Sequence, residues 1–516
     1  MIRIGIDVGG TNTDAVIMQD SDVVEAVKVP TSEDVTEGVL GALENVLTSA
    51  NIHRDAVDVV MIGTTHFTNA VVQQRDLALT AAVRLGLPAT ASLPPMVDWP
   101  EGLRATLGHH VYLAHGGHEF DGREISPLDE AELRGIAEDI KSKGVRSIAI
   151  SAVFSPVNTN MEQQAGEIIR QVLPDVDITL SSDIGRIGIL ERENAAIMNA
   201  CLRELSRKTI QAFGQALNQA GINAPFFLTQ NDGTLMNADY AETFPVLTFA
   251  SGPTNSMRGA AFLSGLQDAI VVDVGGTTTD VGALHHGFPR EASVAVDVGD
   301  VRTNFRMPDV FSVGLGGGSL VTETDAGVTV GPQSVGYRLS ELGQVFGGDS
   351  LTSTDIAVAA GKADIGDASK VAHLGDDLVS HAQAFMHELL TVSVERMRLS
   401  AEPIPVIAVG GGSILVPAEL AGLKVIKPDH FAVANAVGAA IAQISGEVDR
   451  VFALAEMSRD DAVNEAKQEA INKAVAAGAD PTSTDIVDVE DVPLAYLPGN
   501  ATRIRVKAVG NLQVTS

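Results

Sequence analysis

The sequence predicts an α/β protein built from two homologous lobes, and three observations carry that expectation. An eight-residue segment occurs twice: Asp-Val-Gly-Gly-Thr-Asn-Thr-Asp at 7–14 and Asp-Val-Gly-Gly-Thr-Thr-Thr-Asp at 273–280, 266 positions apart (273 − 7). Each copy lies between two short apolar runs, the pattern of a β-hairpin with a glycine turn. Between and after the copies, strand-like and helix-like segments alternate, which is the signature of covered α/β sheets. The period is far too long for a solenoid.

The elements follow in order. Ile2 to Ile6 is an opening strand, and Ala15 to Met18 returns from the first turn. Thr31-Ser32-Glu33-Asp34 has the make-up of a helix start, and Val35, Val39, Leu40, Leu43, Val46 and Leu47 supply an apolar stripe at helical spacing. Strands are expected at Val57–Ile62, Ser147–Phe154 and Val176–Leu180, and helices at Asp129–Lys143 and Met161–Val172. Glu191 to Ala220 reads as a long helix joining the lobes. In the second half, helices are expected at Asp377–Leu399 and Ala432–Ile444, with a strand at Val406–Val409. Residues 83–127, with Pro88, Pro94, Pro95 and Pro100, Trp99 and His109, His110, His115 and His118, read as an insertion of loops and short strands. Residues 456–516 read as a small α+β appendage. The expected division is therefore 1–185, 186–455 and 456–516.

Composition narrows the classes. A hydrophobic fraction of 45 % over 516 residues is ample for large cores and excludes global disorder. Against 66 Asp+Glu stand 35 Lys+Arg, a formal charge of −31, which argues against nucleic acid and anionic membrane as partners. One cysteine, Cys201, cannot make an internal disulfide or a cysteine-based metal site. No apolar run reaches the roughly 18 residues of a membrane-spanning helix, and no secretory leader is evident, so a cytoplasmic protein is expected.

The repeated hairpin carries the chemistry. Glycines at a tight turn let a phosphate approach the backbone, and successive N–H groups there form an anion nest. Thus Gly9, Gly10, Thr11, Asn12 and Thr13, with Gly275, Gly276, Thr277, Thr278 and Thr279, are candidate phosphate contacts, the Thr hydroxyls adding donors. Asp7 and Asp273 end their strands and are candidate ligands for Mg²⁺, usually through its water shell. A third glycine cluster, Gly410, Gly411, Gly412 and Ser413, follows a strand and precedes an expected helix. Gly314 to Ser319 is a fourth, and Ser251-Gly252-Pro253-Thr254 would open a helix. No Walker A pattern, helix-opening G-x-G-x-x-G or protein-kinase signature occurs. The four histidines at 109–118 fit no standard zinc spacing and are explained by a polar loop or hairpin. Glu191, Arg192 and Glu193 read as structural ion pairs, and Cys201 as a core residue.

The two Asp-bearing hairpins and the late glycine turn resemble the actin-like ATPase superfamily, in which two ribonuclease H-like lobes close on ATP. The resemblance narrows to the ATP-binding A subunit of the hydantoinase/oxoprolinase family. The stretches that carry it are Gly63-Thr64-Thr65-His66-Phe67-Thr68-Asn69-Ala70, Ser251-Gly252-Pro253, Gly316-Gly317-Gly318-Ser319, Thr352-Ser353-Thr354-Asp355 and Ala434-Asn435-Ala436-Val437-Gly438-Ala439-Ala440. They lie within residues 5–445, most of the chain. The family implies ATP-dependent opening of cyclic amides such as hydantoins, 5-oxoproline and other lactams, by phosphorylation of the carbonyl oxygen. Some relatives carboxylate ketones. It also implies a partner B-type hydrolase subunit. This sequence departs from the family in two places. Asn12 stands where Phe is usual, and Thr254-Asn255-Ser256 stands where Ala-Gly-Gly is common. It is also shorter than the usual A subunit.

On that resemblance, Asp7 and Asp273 position Mg²⁺ on ATP, the two turns cradle the phosphates, and Gly410–Ser413 packs against adenosine. Thr64, Thr65 and Asn69 face the cyclic amide. His66 is a general acid, a substrate donor or a loop-stabilising histidine. Two other readings share the ATP motifs: a regulatory or chaperone-like ATPase that binds a protein partner, and a small-molecule kinase. Oligomeric state is left open.

Overall fold

The computed structural model describes residues 1–513 apart from 11, 32–34, 293–294, 326, 399–401, 455–456 and 495–499. The expected helix start at 32–34 and the candidate phosphate ligand Thr11 lie outside the described residues.

The duplication is visible as a shared strand order. In the first sheet, β1 (Ile2–Val8) pairs antiparallel with β2 (Asn12–Gln19), β2 with β3 (Asp22–Pro30), and β1 runs parallel to β4 (Val59–Thr64), which is followed by parallel β9 (Phe226–Thr229). In the second, β11 (Ala269–Val274) pairs antiparallel with β12 (Thr279–His285), β12 with β13 (Phe288–Pro289), and β11 runs parallel to β19 (Val406–Val409), followed by parallel β21 (Leu423–Ile426). β16 (Val310–Val313) also pairs with β12, and β20 (Glu419–Leu420) closes the edge. Both sheets thus carry the same 3-2-1-4-5 order, and the two-lobed α/β fold follows.

Sheet membership does not follow the sequence division at 186 and 456. The first sheet continues from β9 through β10 (Thr234–Asn237) and β22 (Gln443–Ala453) to β24 (Ala501–Gly510) and β23 (Asp485–Pro493). The C-terminal residues are therefore built into the first lobe. Helix α13 (Arg459–Ala476) lays Ala462, Ala466, Ala470 and Ala474, all fully buried, against these strands. A Cβ at Gly446 of β22 would stand 2.2 Å from the Ala470 carbonyl, so glycine there allows the close approach. The helix expected at Ala432–Ile444 ends at Ala440, because Ile444 already belongs to β22.

Residues 83–127 are more regular than an insertion of loops. β5 (Thr80–Leu87), β6 (His110–His115), β7 (Ser147–Ala152) and β8 (Asp177–Leu180) form a separate four-stranded parallel sheet in the order β6-β5-β7-β8. Helix α3 (Glu101–Leu107) lies between β5 and β6 in sequence. Helices α4 (Glu130–Ser142) and α5 (Asn160–Val172) bury Leu133, Ile140, Ala165 and Ile169 on one face. The 31-residue α6 (Ile189–Gln219) covers the other face with Ala196 and Ala200, then carries Phe213 and Leu217 onto the first sheet beside α1 (Val35–Ala50). It joins the small sheet to the first lobe rather than lobe to lobe. Glu193 of α6 forms a buried pair with Arg84 of β5 (Nε–Oε2 2.7 Å), and Cys201 is 1 % exposed in the same core.

Two helices form the layer between the lobes. α7 (Ala238–Thr243) precedes the first, α8 (Ser251–Ser264), which packs Met257, Ala260 and Ala261 on the second sheet. The other, α12 (Ala434–Ala440), packs Ala436, Val437 and Ala440 on β2 of the first sheet. The far face of the second sheet is covered by α11 (Asp376–Met397). Two small hairpins, β14 (Val296–Val298) with β15 (Val301–Thr303) and β17 (Ser319–Thr324) with β18 (Gly327–Ser334), and the short α2 (His66–Gln73), α9 (Leu339–Leu342) and α10 (Ser353–Ala359) complete the described elements.

Candidate active site between the two hairpins

The two glycine turns fold alike. Gly9 N–H donates to the Asn12 carbonyl at 3.1 Å, and Gly275 N–H donates to the Thr278 carbonyl at 2.9 Å. Gly10, Thr277 and Thr278 are exposed, and Gly275, Gly276 and Asn12 are half-buried, so the turns present backbone and hydroxyl groups outward. Thr13 and Thr279 do not. Both are fully buried: the Thr13 hydroxyl meets that of Thr31, which donates to the Gly9 carbonyl at 2.8 Å, and Thr279 donates to the Leu315 carbonyl at 2.6 Å. As fully buried residues already bonded within the protein, these two brace the turns rather than offer donors to a phosphate.

A glycine on the neighbouring parallel strand makes room for each carboxylate. A Cβ at Gly63 would stand 2.5 Å from Asp7 Oδ1, and one at Gly410 would stand 2.3 Å from Asp273 Oδ1. Gly410 also has φ +83°, a conformation that favours glycine. Its cluster turns into a 3-10 helix, Gly411–Leu415, rather than an α-helix, and Gly412 lies over Val274 and the Gly275 carbonyl. Gly411 is exposed, and the buried Ser413 Oγ has no hydrogen-bond partner.

Asp7 is held by amides from both central helices. Asn255 of α8 donates to its Oδ1 at 3.2 Å, and Asn435 of α12 donates to its Oδ2 at 3.0 Å and to Asp14 Oδ2 at 2.8 Å. The next residue of α8, Ser256, lies beside Asp273, whose carboxyl its hydroxyl favours in the ionised form. Lys28 of β3 reaches Asp14 Oδ1 at 2.5 Å. Burial pushes the Asp7 carboxyl up to about 6, the Asn255 and Asn435 bonds opposing it and the Asp14 and Asp273 charges adding to it. Burial likewise pushes Asp273 up to about 6, against the Ser256 hydroxyl and the Lys28 charge. Each carboxylate senses a charge from the opposite lobe.

The loop after β4 borders the same space. Thr65 N–H donates to the Val8 carbonyl at 3.3 Å, and Ser251 of α8 donates to the Thr64 carbonyl at 3.1 Å. The Thr64 side chain is buried, its hydroxyl accepting from His66 N–H, while Thr65, His66 and Asn69 are half-buried. Burial lowers His66 below the ordinary histidine value, so its imidazole is neutral at pH 7. The Gly314–Ser319 cluster lies under the second turn. Gly317 and Gly318 N–H donate to the Gly275 and Gly276 carbonyls, and Ser353 and Thr354 of α10 bond the Gly317 carbonyl from behind. The His109–His118 group disperses. His109 faces Glu101, His115 faces Glu132, and His118 contacts Asn158.

The candidate metal ligands suit one kind of ion. Among the described residues no three His, Cys, Asp or Glu side chains converge as a closed cage. The buried Asp7 and the half-buried Asp273, each with a second Asp opposite it in register, match a hydrated hard cation such as Mg²⁺, which retains its waters.

Comparison with known proteins shows the family. The family description "Hydantoinase/oxoprolinase N-terminal region" matches residues 3–173, and "Hydantoinase/oxoprolinase" matches residues 192–369, together about two thirds of the chain. The chain belongs to the hydantoinase/oxoprolinase family. Within reach of this family, it is 27 % identical to the caprolactamase subunit alpha of Pseudomonas jessenii over 85 % of its own length and 65 % of that protein's. It is 27 % identical to the acetophenone carboxylase gamma subunit of Aromatoleum aromaticum, over 69 % of its length and 53 % of that protein's. It therefore spans less than two thirds of either relative. The crystal structure of the ATP-dependent caprolactamase from P. jessenii superposes with a TM-score of 0.77 at 20 % identity, covering 99 % of this chain and 88 % of that one. That likeness shows the fold.

Sequence reasoning found the hairpins and the glycine clusters at 314–319 and 410–413 but missed Lys28 and the roles of Gly63 and Asn435. Asn255 and Ser256 stood out only as departures from the common Ala-Gly-Gly. A signal for Lys28 was present: it is the one basic residue in Asp22–Pro30.

Proposed function

We propose that this chain is the ATP-binding subunit of an ATP-dependent enzyme that activates a cyclic amide by phosphorylating its carbonyl oxygen. The observation that carries the reading is the pair of duplicated hairpins, each with its carboxylate in the same register, and α8, which bonds Asp7 through Asn255 and sets Ser256 beside Asp273. Kinship with a caprolactamase subunit supports the amide, and kinship with a carboxylase subunit keeps a ketone among the candidates. Both relatives are named as subunits, which supports a partner, proposed here as a B-type hydrolase subunit.

An amide carbonyl is a poor electrophile because nitrogen donates into it. When its oxygen takes the γ-phosphoryl group, the bond to the β-phosphate oxygen breaks, ADP leaves and the carbon becomes open to water. Such transfer needs positioning and charge stabilisation more than covalent help from the protein. The turns at Gly9–Asn12 and Gly275–Thr278 would offer N–H groups and hydroxyls to phosphate oxygens, and Gly410–Ser413 would border the nucleoside. Asp7 and Asp273 would hold Mg²⁺ through its waters; the ion supplies charge neutralisation on the phosphates. Thr65, Asn69 and the neutral His66 would donate to the substrate carbonyl, Thr64 shaping the loop from beneath.

The test is phosphate release from ATP with a panel of lactams, hydantoins and ketones, with and without the protein encoded beside this one. Lactam-dependent release supports the proposal. A stable phosphorylated product supports a small-molecule kinase instead, and ATP binding that alters only affinity for a protein partner supports a regulatory ATPase. Asp7→Ala and Asp273→Ala should each abolish Mg²⁺-dependent turnover in a folded protein, and wild-type turnover in both would refute the site.

A further inference from the structure

Across the first sheet, three charged residues stand in one register row: Asp7 opposite Asp14, and Asp14 opposite Lys28. The second sheet repeats the row with a change in its last member: Asp273 opposite Asp280, and Asp280 opposite Ser312. The duplication thus places four carboxylates on the cleft and a single ammonium group, on one side only. Lys28 Nζ lies 2.5 Å from the buried Asp14 carboxylate, while its own side chain keeps 36 % of its surface exposed. That exposed surface leaves the ammonium group open to a further acceptor. Its charge reaches the opposite lobe, where it opposes the rise in the Asp273 value.

We propose that Lys28 contacts the terminal phosphate of the nucleotide, its ammonium group sharing its three donors between Asp14 and phosphoryl oxygens, and so makes the site prefer ATP to ADP. The inference rests on the reading of this cleft as an ATP site. A strand-borne ammonium group is a point charge with three donors, suited to a phosphate that changes its geometry during transfer. The α- and β-phosphates would remain with the glycine turns, which are duplicated; the lysine is not, and it marks the end where the two lobes differ.

The test measures ATP and ADP affinity calorimetrically in the presence of Mg²⁺, for the wild type, Lys28→Met and the double variant Lys28→Met/Asp14→Asn. The double variant removes both members of the ion pair and so avoids stranding a buried carboxylate. A charge-assisted hydrogen bond is worth about 1.5–3 kcal/mol, so ATP should bind about 10- to 150-fold more weakly in both variants. ADP affinity should change less than about threefold. Unchanged ATP affinity, or equal loss for ATP and ADP, would overturn the role of Lys28 while leaving the nucleotide site standing. A wild-type chain that binds neither nucleotide would overturn the site reading itself, and this inference with it.

Discussion

Asp7→Asn should make the metal-free protein more stable at pH 7.5 while removing its Mg²⁺-dependent activity. The carboxyl is 4 % exposed and its value is pushed from 3.8 up to about 6, chiefly by burial. Between those values the folded state holds a proton that the unfolded state has released, so stability falls as pH rises through this window and the penalty is complete above it. A rise of about two units at about 1.4 kcal/mol each makes the ionised side chain cost the fold roughly 3 kcal/mol at pH 7.5. Asparagine has the shape of the protonated acid without that cost. Its amide can be accommodated because Asn255 Oδ1 is buried and has no hydrogen-bond partner, so a flipped Asn255 amide can accept from it. Urea denaturation in EDTA, for both proteins at pH 4 and at pH 7.5, isolates the effect as a difference of differences. The variant should gain up to about 3 kcal/mol on the wild type at pH 7.5 and nearly nothing at pH 4. A stability difference that is the same at both pH values, or a variant less stable at pH 7.5, would refute the claim that Asp7 is held ionised against its environment.

Other outcomes follow from packing. Gly438→Ala places a Cβ 1.8 Å from the Asn255 carbonyl, so it should force α8 and α12 apart, cost about 1–3 kcal/mol in thermal or urea unfolding, and weaken nucleotide binding together with stability. Arg84→Leu should cost about 3–5 kcal/mol, because it strands the buried Glu193 carboxylate with Ser151 as its remaining side-chain hydrogen-bond donor among the described residues; urea midpoints at neutral pH measure it. A chain cut after residue 455 should fail to fold as a soluble first lobe, since β22 would lose β24 along the register from Ile444 to Ala453 and the cover of α13. A cooperative melt of that fragment by circular dichroism would instead restore the C-terminal residues as an independent appendage.

What the sequence made legible was local or repeated. The hairpins were legible because both copies keep the same residues at the turn, and the helices at 130–142 and 160–172 because one face of each is apolar at helical spacing. The strand Thr80–Leu87 was hidden because it runs into a segment marked by prolines and histidines, although its central residues are buried. The C-terminal strands were visible as strands but not as part of the first sheet, because pairing with β22 depends on tertiary placement rather than on any local pattern. The same limit applies at the site. Asn435 reaches Asp7 across 428 positions and Asn255 reaches it across 248, distances over which no periodicity can report a contact. Thr13 and Thr279 show the converse error. Their residue type and position matched a phosphate donor, but strand alternation turns both side chains inward.

The two Asn bonds also explain why the glycines of the central helices are placed as they are. A Cβ at Gly259 of α8 would stand 1.8 Å from the Ala434 carbonyl, and one at Gly438 of α12 would stand 1.8 Å from the Asn255 carbonyl. The helices therefore meet backbone to backbone, an approach that larger residues forbid. Gly5 of β1 extends the same close packing, its Cβ position lying 2.1 Å from the Ala436 carbonyl. Only at that separation can short Asn side chains from both helices converge on one carboxylate. Because Ser256 follows Asn255 directly and lies beside Asp273, α8 borders both carboxylates at once. Any rearrangement that carries α8 away from the first sheet must break the Asn255 bond to Asp7. The residues that depart from the common Ala-Gly-Gly pattern are thus the ones that meet the two carboxylates in this chain. A glycine at either position, having no side chain to bond with, would leave a carboxylate to be satisfied by something else.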